Sequence, residues 1–315
     1  MRVASIDIGT NTVRLLVAER GDDRRSFYPI IRKQSITRIG EGIGRGGQNG
    51  HLSKGAISRT IEALFDYKKT LDSFGVDVYR AVVTSAVREA KNADEFLSIA
   101  FRNGVTVEVI GEKEEATLSF LGVRGSLPTD MADALVFDVG GGSTEFVSVK
   151  MGVVKDLVSV LLGVVRLREK YISDYPPTSD AVGNMKEFIE GKVSSVCGRF
   201  SGLNRSTLLV GTAGTATSLA AMDLDLCDYN FDLVNGHTLS SKHISQFVET
   251  LSGMAEEEIV SRFPILRGGR EDVIFPGALI IQAVMNFFGA EEMVVCDGGL
   301  LEGIVVQLLN LEGLS

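Results

Sequence analysis

One pattern occurs twice in this chain, and the repetition limits its fold more than any other feature. Arg2 to Asp7 is a short run rich in β-formers that ends on Asp, turns through Ile8-Gly9-Thr10-Asn11-Thr12 and resumes as a second run from Val13 to Glu19. Ala134 to Asp138 also ends on Asp, turns through Val139-Gly140-Gly141-Gly142-Ser143-Thr144-Glu145, and continues as strands from Phe146 and from Val153. Short apolar runs bounded by small turn residues read as β-hairpins. The same hairpin met twice in 315 residues, about two domains' length, predicts a duplication at domain scale.

The intervening segments predict α/β layering. A turn at Gly21-Asp22-Asp23 leads into a third strand from Ser26 to Arg32. From Lys54 to Phe74 the apolar residues Ile57, Ile61, Leu64, Phe65 and Leu71 recur near helical spacing. A strand over Tyr79 to Thr84, a helix over Asp94 to Phe101, a strand over Val105 to Ile110 and a helix over Lys113 to Val123 follow. The breakers Gly125-Ser126-Leu127-Pro128-Thr129-Asp130 place a domain boundary, giving 1–125 and 126–315. In the second half, a strand from Leu208 to Gly211 feeds Thr212-Ala213-Gly214-Thr215-Ala216-Thr217 and an Ala/Leu helix. Met293 to Cys296 reads as a strand, Asp297-Gly298-Gly299 as a turn, and a last helix, about 300–312, is free to pack back on the first domain.

A net charge of −9, from 32 basic and 41 acidic residues, lacks the broad positive field that binding to duplex phosphates requires, so nucleic acid is not an expected partner. A small polyanion still fits if basic side chains and amides converge locally. The 35 glycines exceed the roughly 7% average and suit close approach of backbone to phosphate. Three widely spaced cysteines, Cys197, Cys227 and Cys296, form no zinc pattern. No leader pattern and no apolar run of membrane-spanning length is present, so a cytoplasmic location without membrane association is expected.

A Gly/hydroxyl turn after a strand-end Asp has a chemical use: its amides and hydroxyls can surround phosphoryl oxygens, while the Asp holds Mg²⁺ directly or through water. A single such turn can equally be only a turn. Arg14 and Arg88 lie beside these elements and could grip phosphate oxygens, or pair with a nearby acid such as Glu89. Glu112, Glu114 and Glu115 could simply complement a helix N-terminus.

Asp7-Ile8-Gly9-Thr10-Asn11-Thr12-Val13-Arg14 and Asp138-Val139-Gly140-Gly141-Gly142-Ser143-Thr144-Glu145 resemble the paired phosphate motifs of the exopolyphosphatase and guanosine pentaphosphate phosphohydrolase (Ppx/GppA) family. Arg38-Ile39-Gly40-Glu41-Gly42, Thr84-Ser85-Ala86-Val87-Arg88-Glu89-Ala90, Glu114-Glu115-Ala116 and Gly163-Val164-Val165-Arg166-Leu167 resemble it too, so the likeness runs through nearly the whole chain in order. The resemblance implies an α/β fold of two actin-like (ribonuclease H-like) domains, of the actin/hexokinase superfamily, with an interdomain cleft. It also implies a metal-assisted hydrolase that releases the terminal phosphate of polyphosphate or the 5′ γ-phosphate of guanosine pentaphosphate. The length matches the short, two-domain form without the helical HD-type C-terminal region.

By motif, Glu115 matches the catalytic base, and Asp138, Glu145 and Asp7 match the residues that arrange Mg²⁺ or another divalent cation. Thr10, Asn11, Thr12, Arg14, Arg88, Gly140, Gly141, Gly142 and Ser143 match the phosphate-holding set. Gly214 and Thr215 fall in the element that meets a nucleoside in related kinases, and Gly214 could equally permit tight packing. Arg38 and Arg166 lie in matching motifs with no role assigned, as does His237. One departure is Leu301, in Gly299-Leu300-Leu301-Glu302-Gly303, where the family commonly has Arg; Arg267 or Arg270 are the candidates to replace that cation. A catalytically weak polyphosphate or alarmone sensor, and a superfamily kinase, are the alternative readings, and a homodimer is left open.

Overall fold

The computed structural model describes residues 1–22, 26–43, 50–127, 131–200, 202–204 and 207–311. Asp23 and the Pro128–Asp130 part of the breaker cluster, both used above as turn signals, lie outside that set. The chain divides into two compact units, Met1–Ser126 with Gly298–Ser315, and Leu127–Asp297.

In the first unit, β1 (Arg2–Ile8), β2 (Thr12–Arg20), β3 (Phe27–Ile36), α1 (Lys54–Ser73), β4 (Val78–Val83), α2 (Ser85–Glu89), α3 (Ala93–Arg102), β5 (Val107–Val109) and α4 (Glu112–Ser126) follow in order. The sheet runs β3-β2-β1-β4-β5, antiparallel among the first three strands and parallel from β1 through β5. β3 is longer than the Ser26 to Arg32 run and holds Pro29 beside a bulge, which an edge strand tolerates. Ser53 caps α1 by accepting from the Ala56 amide, and Ile57, Leu64 and Leu71 face the core.

The second unit contains β6 (Asp133–Val139), β7 (Thr144–Lys150), β8 (Val153–Val160), α5 (Val164–Tyr171), α6 (Ser179–Cys197), β9 (Leu208–Thr212), α7 (Ala213–Asp223), α8 (Phe231–Val234), β10 (Thr238–Ser240), α9 (Ser241–Ser252), α10 (Glu256–Arg262), α11 (Ile274–Phe288) and β11 (Glu292–Val295). Its order, β10-β11-β9-β6-β7-β8, contains the first unit's order read as β8-β7-β6-β9-β11, with the same strand directions. Two units with one topology make the ribonuclease H-like duplication explicit. α11 is buried along most of its length in the second unit's core, so it has no polar stripe for periodicity to detect.

The last helix, α12 (Leu300–Leu309), belongs to the first unit although sequence order counts it with the second half. Leu301, Val305, Val306 and Leu309 pack on Val3, Leu16 and Ala18 of β1 and β2. α12 also meets α4 backbone to backbone: a Cβ on Gly303 would lie 1.8 Å from the Leu118 carbonyl oxygen, and one on Gly122 1.9 Å from that of Gly299. Only glycine fits at such a crossing. Among the described residues, no helix is long and apolar enough to cross a membrane.

Candidate active site

Both hairpin turns close alike. The Gly9 amide donates to Thr12 O and the Gly140 amide to Ser143 O, each at 3.0 Å. Each turn is then backed by a later segment. The carbonyls of Gly140 and Gly141 accept from the Val164 and Val165 amides at the start of α5, at 3.1 and 3.0 Å, and Arg166 Nε donates to Gly142 O at 2.7 Å. In a trans peptide the N–H points opposite to the C=O, so the amides of Gly141, Gly142 and Ser143 turn away from α5. Successive amides with one heading form an anion-binding concavity. Gly163 allows this backing, because a Cβ there would come within 2.3 Å of Gly141 O.

The first unit repeats the device with different residues. Thr10 O accepts from the Gly40 amide at 3.0 Å, and Asn11 O from the amides of Thr37 and Arg38 at 3.1 and 2.9 Å. The amides of Asn11 and Thr12 therefore face the other way. Arg38 adopts φ 50° to make this contact, a left-handed conformation that costs a non-glycine residue roughly 1–2 kcal/mol. A Cβ on Gly40 would lie 2.3 Å from Thr10 Cγ2 and 2.9 Å from Ala86 Cβ. The Arg38–Gly42 and Gly163–Leu167 motifs are thus the supports of the two turns, a role the sequence left open for Arg38 and Arg166.

The two hairpins differ in the residue facing the Asp. Asp7 is paired across β1 and β2 with Arg14, whose Nε and Nη2 both donate to Asp7 Oδ2, at 3.1 and 2.6 Å. Arg14, expected to grip phosphate, commits these two donors to Asp7. Asp7 is 3% exposed, and its other oxygen, Oδ1, is buried with no protein hydrogen-bond partner. In the second hairpin Asp138 is paired across β6 and β7 with Glu145, a carboxylate opposite a carboxylate. Like charges directly opposed across an antiparallel pair repel. Glu145 is 3% exposed and its Oε1 accepts from Ser159 Oγ at 2.7 Å. Asp138 and Glu145 therefore fit a divalent cation, since Mg²⁺ is usually held by one or two carboxylates with water and substrate oxygens completing its shell. The neutralised Asp7–Arg14 pair suits one less well, with buried Oδ1 the single oxygen it leaves uncommitted. Among the described residues no three His, Cys, Asp or Glu side chains converge as a metal cage.

Glu115 lies in the first turn of α4, largely buried, and its Oε2 accepts from Arg88 Nη1 at 2.9 Å. The same Nη1 donates to Ile110 O at 3.0 Å, and Arg88 Nη2 lies 3.8 Å from Glu112. The candidate base and the candidate phosphate cation are thus an ion pair joining α2 to the start of α4.

Two expected ligands have structural duties. Thr215 Oγ1 donates to Val139 O at 3.3 Å, and its methyl fits where a Cβ on Gly277 would intrude to 2.3 Å. Arg270 Nη1 donates to Gly214 O at 2.6 Å and Ser218 Oγ at 2.7 Å, and it lies where a Cβ on Gly214 would clash. Gly214 is glycine so that Arg270 can sit down on α7. Leu301 is in the apolar cluster on β1 and β2, and the arginine at the start of α12 is Arg32 from β3, which pairs with buried Glu302. Glu302 also accepts from the Gly299 amide at 2.8 Å. His237 Nε2 and His243 Nδ1 flank Asp223 at 2.7 and 2.6 Å, joining α7 to the residue before β10 and to α9.

The model of the Ppx/GppA phosphatase family matches residues 16–312. This chain belongs to the Ppx/GppA phosphatase family. Exopolyphosphatase 2 of Mycobacterium tuberculosis is 32% identical over 319 residues, covering 98% of each protein. The crystal structure of the Aquifex aeolicus Ppx/GppA member is 35% identical, covers 99% of both chains and superposes with a TM-score of 0.82. An exopolyphosphatase structure from Cytophaga hutchinsonii, 25% identical over 98% of both chains, gives 0.89. The backed turns, the opposed carboxylates and the Arg88–Glu115 pair are thus features of a Ppx/GppA phosphatase chain.

Proposed function

We propose that this phosphatase releases the terminal phosphate of inorganic polyphosphate or the 5′ γ-phosphate of guanosine pentaphosphate, with water as acceptor. The observation that carries the reading is the Asp138–Glu145 pair, two carboxylates opposed on a hairpin closed by three glycines. Asp138 and Glu145 would hold Mg²⁺, which would supply positive charge to the phosphoryl oxygens of the transferring group. The amides of Gly141 to Ser143 and of Asn11 and Thr12 hold phosphate oxygens, the requirement of phosphoryl transfer being positioning and electrostatics. Glu115 orients the attacking water and accepts its proton. Arg88 fixes the Glu115 carboxylate and is available to phosphate oxygens through its remaining donors.

The test is phosphate release from tripolyphosphate and from guanosine pentaphosphate, with Mg²⁺ and with chelator, by the wild type and by Glu115→Gln. Metal-dependent release that drops at least about 100-fold in the variant is expected. Undiminished turnover by Glu115→Gln, or release indifferent to chelator, removes the assignment.

A further inference from the structure

Ser159 is the one polar residue between Leu157 and Gly163, in an apolar run that ends β8. A hydroxyl placed in such a run costs stability unless it finds a partner. The partner is Glu145: Ser159 Oγ donates to Glu145 Oε1 at 2.7 Å, the short length of a hydrogen bond to an ionised carboxylate.

Register brings the two together. Glu145 is directly opposite Ser159 across β7 and β8, and directly opposite Asp138 across β6 and β7. Directly opposed side chains share one face of a sheet, with Cβ atoms about 5 Å apart. Asp138, Glu145 and Ser159 thus form a row across three strands. The middle carboxylate has a like charge on one side and a hydroxyl donor on the other. The irregularity in the β7–β8 ladder falls between Ser148 and Val149, outside this row, so the pairing of Glu145 with Ser159 is regular.

The first unit holds the corresponding row with other chemistry. Asp7 is opposite Arg14, and Arg14 is opposite Gln34. There the middle residue is itself the cation that meets the aspartate. In the second unit the middle residue repeats its neighbour's charge, and Glu145, 3% exposed, has little water to orient it. The last torsion of a glutamate is broad, so the plane of its carboxylate is set by whatever binds it. A bond to Oε1 from the β8 side sets that plane, and with it the direction of Oε2.

We propose that Ser159 is a positioning residue, which acts through Glu145 to hold the Asp138–Glu145 pair in the arrangement that binds a divalent cation. The proposal rests on the reading of that pair given above and extends it to a third strand. Loss of a hydrogen-bond partner behind a metal-ligating side chain typically weakens metal affinity by about 10–100-fold.

The experiment measures Mn²⁺ binding to the substrate-free protein, from the paramagnetic resonance signal of the free ion, for wild type, Ser159→Ala, Ser159→Thr, Ser159→Val and Glu145→Gln. Thermal scans in chelator accompany it and report folding separately. Ser159→Ala and Ser159→Val are expected to raise the Mn²⁺ Kd about tenfold. Ser159→Thr is expected to stay within about threefold of wild type, because Thr and Val have nearly the same shape and differ in the hydroxyl. A serine that only satisfies a buried carboxylate would lower Tm on substitution and leave Kd unchanged; that result, or equal loss of affinity in the Thr and Val variants, overturns the proposal. The two readings fail differently. If wild type and Glu145→Gln bind Mn²⁺ alike, the carboxylate pair is not the cation site, and the metal reading falls together with the role of Ser159. If Glu145→Gln loses affinity while Ser159→Ala and Ser159→Val keep it, the role of Ser159 alone falls.

Discussion

Replacing Glu145 by Gln should make the second unit more stable without metal and less responsive to it. The side chains of Asp138 and Glu145 are directly opposed across β6 and β7, which puts their Cβ atoms about 5 Å apart. Two unit charges at about 5 Å and an effective dielectric of about 20 repel by roughly 3 kcal/mol. Asp138 is only half-buried, and solvent screening reduces this, so a gain of about 1–2 kcal/mol is the working figure. Gln keeps an oxygen to accept from Ser159, so the known hydrogen bond of Glu145 survives. In a unit of this size that gain corresponds to roughly 3–6 °C in Tm. Calorimetric scans with chelator and with millimolar Mg²⁺ read both effects: the wild type should gain stability from the ion and Glu145→Gln much less. A variant that melts below the wild type in chelator, or that gains as much from Mg²⁺, would refute the argument that the opposed carboxylates repel each other and bind a cation.

Three further outcomes are expected. Gly303→Ala places a methyl within 1.8 Å of Leu118 O, so α4 and α12 must separate, lowering stability by about 3 kcal/mol in denaturant titration; a loss under 1 kcal/mol would contradict the close crossing. Thr215→Val removes the hydroxyl bond to Val139 and should cost about 1 kcal/mol in the same assay, while an unchanged midpoint would show that the bond contributes nothing. Burial pushes the Cys197 thiol up to about 12, whereas Cys227 is exposed. At pH 8 Cys197 stays protonated because its pKa lies far above the solution pH, so a thiol reagent should label Cys227 rapidly and leave Cys197 unmodified until unfolding; rapid labelling of Cys197 in the native protein would contradict its burial.

The hairpins, α1 and the α/β alternation were legible because each is a local pattern with a period or a turn signal of its own. β1, β2 and β6 begin and end within two residues of the expected runs, and β7 begins two residues before the expected Phe146. α2 was not legible: five residues are too few to show a helical period. α11 was missed for the opposite reason, since a helix buried on nearly every side has no contrast to read. Within the candidate site, motif likeness picked out Arg88 and Glu115 separately, but nothing in a linear reading joins residues 27 apart into one ion pair. Arg32 gave no signal at all, because its partner Glu302 is 270 residues away.

Sequence alone determined the duplicated hairpins, the strand-end aspartates and the residue types at each turn, because a turn's chemistry is set by neighbours along the chain. Tertiary structure decided what those residues meet. It took Arg14 from phosphate to Asp7, tied Thr215 and Gly214 into packing, carried α12 back to the first sheet and set Asp138 against Glu145. A charge acts on whatever lies within a few ångströms of it, and across strands and helices that distance is fixed by the fold and not by separation along the chain.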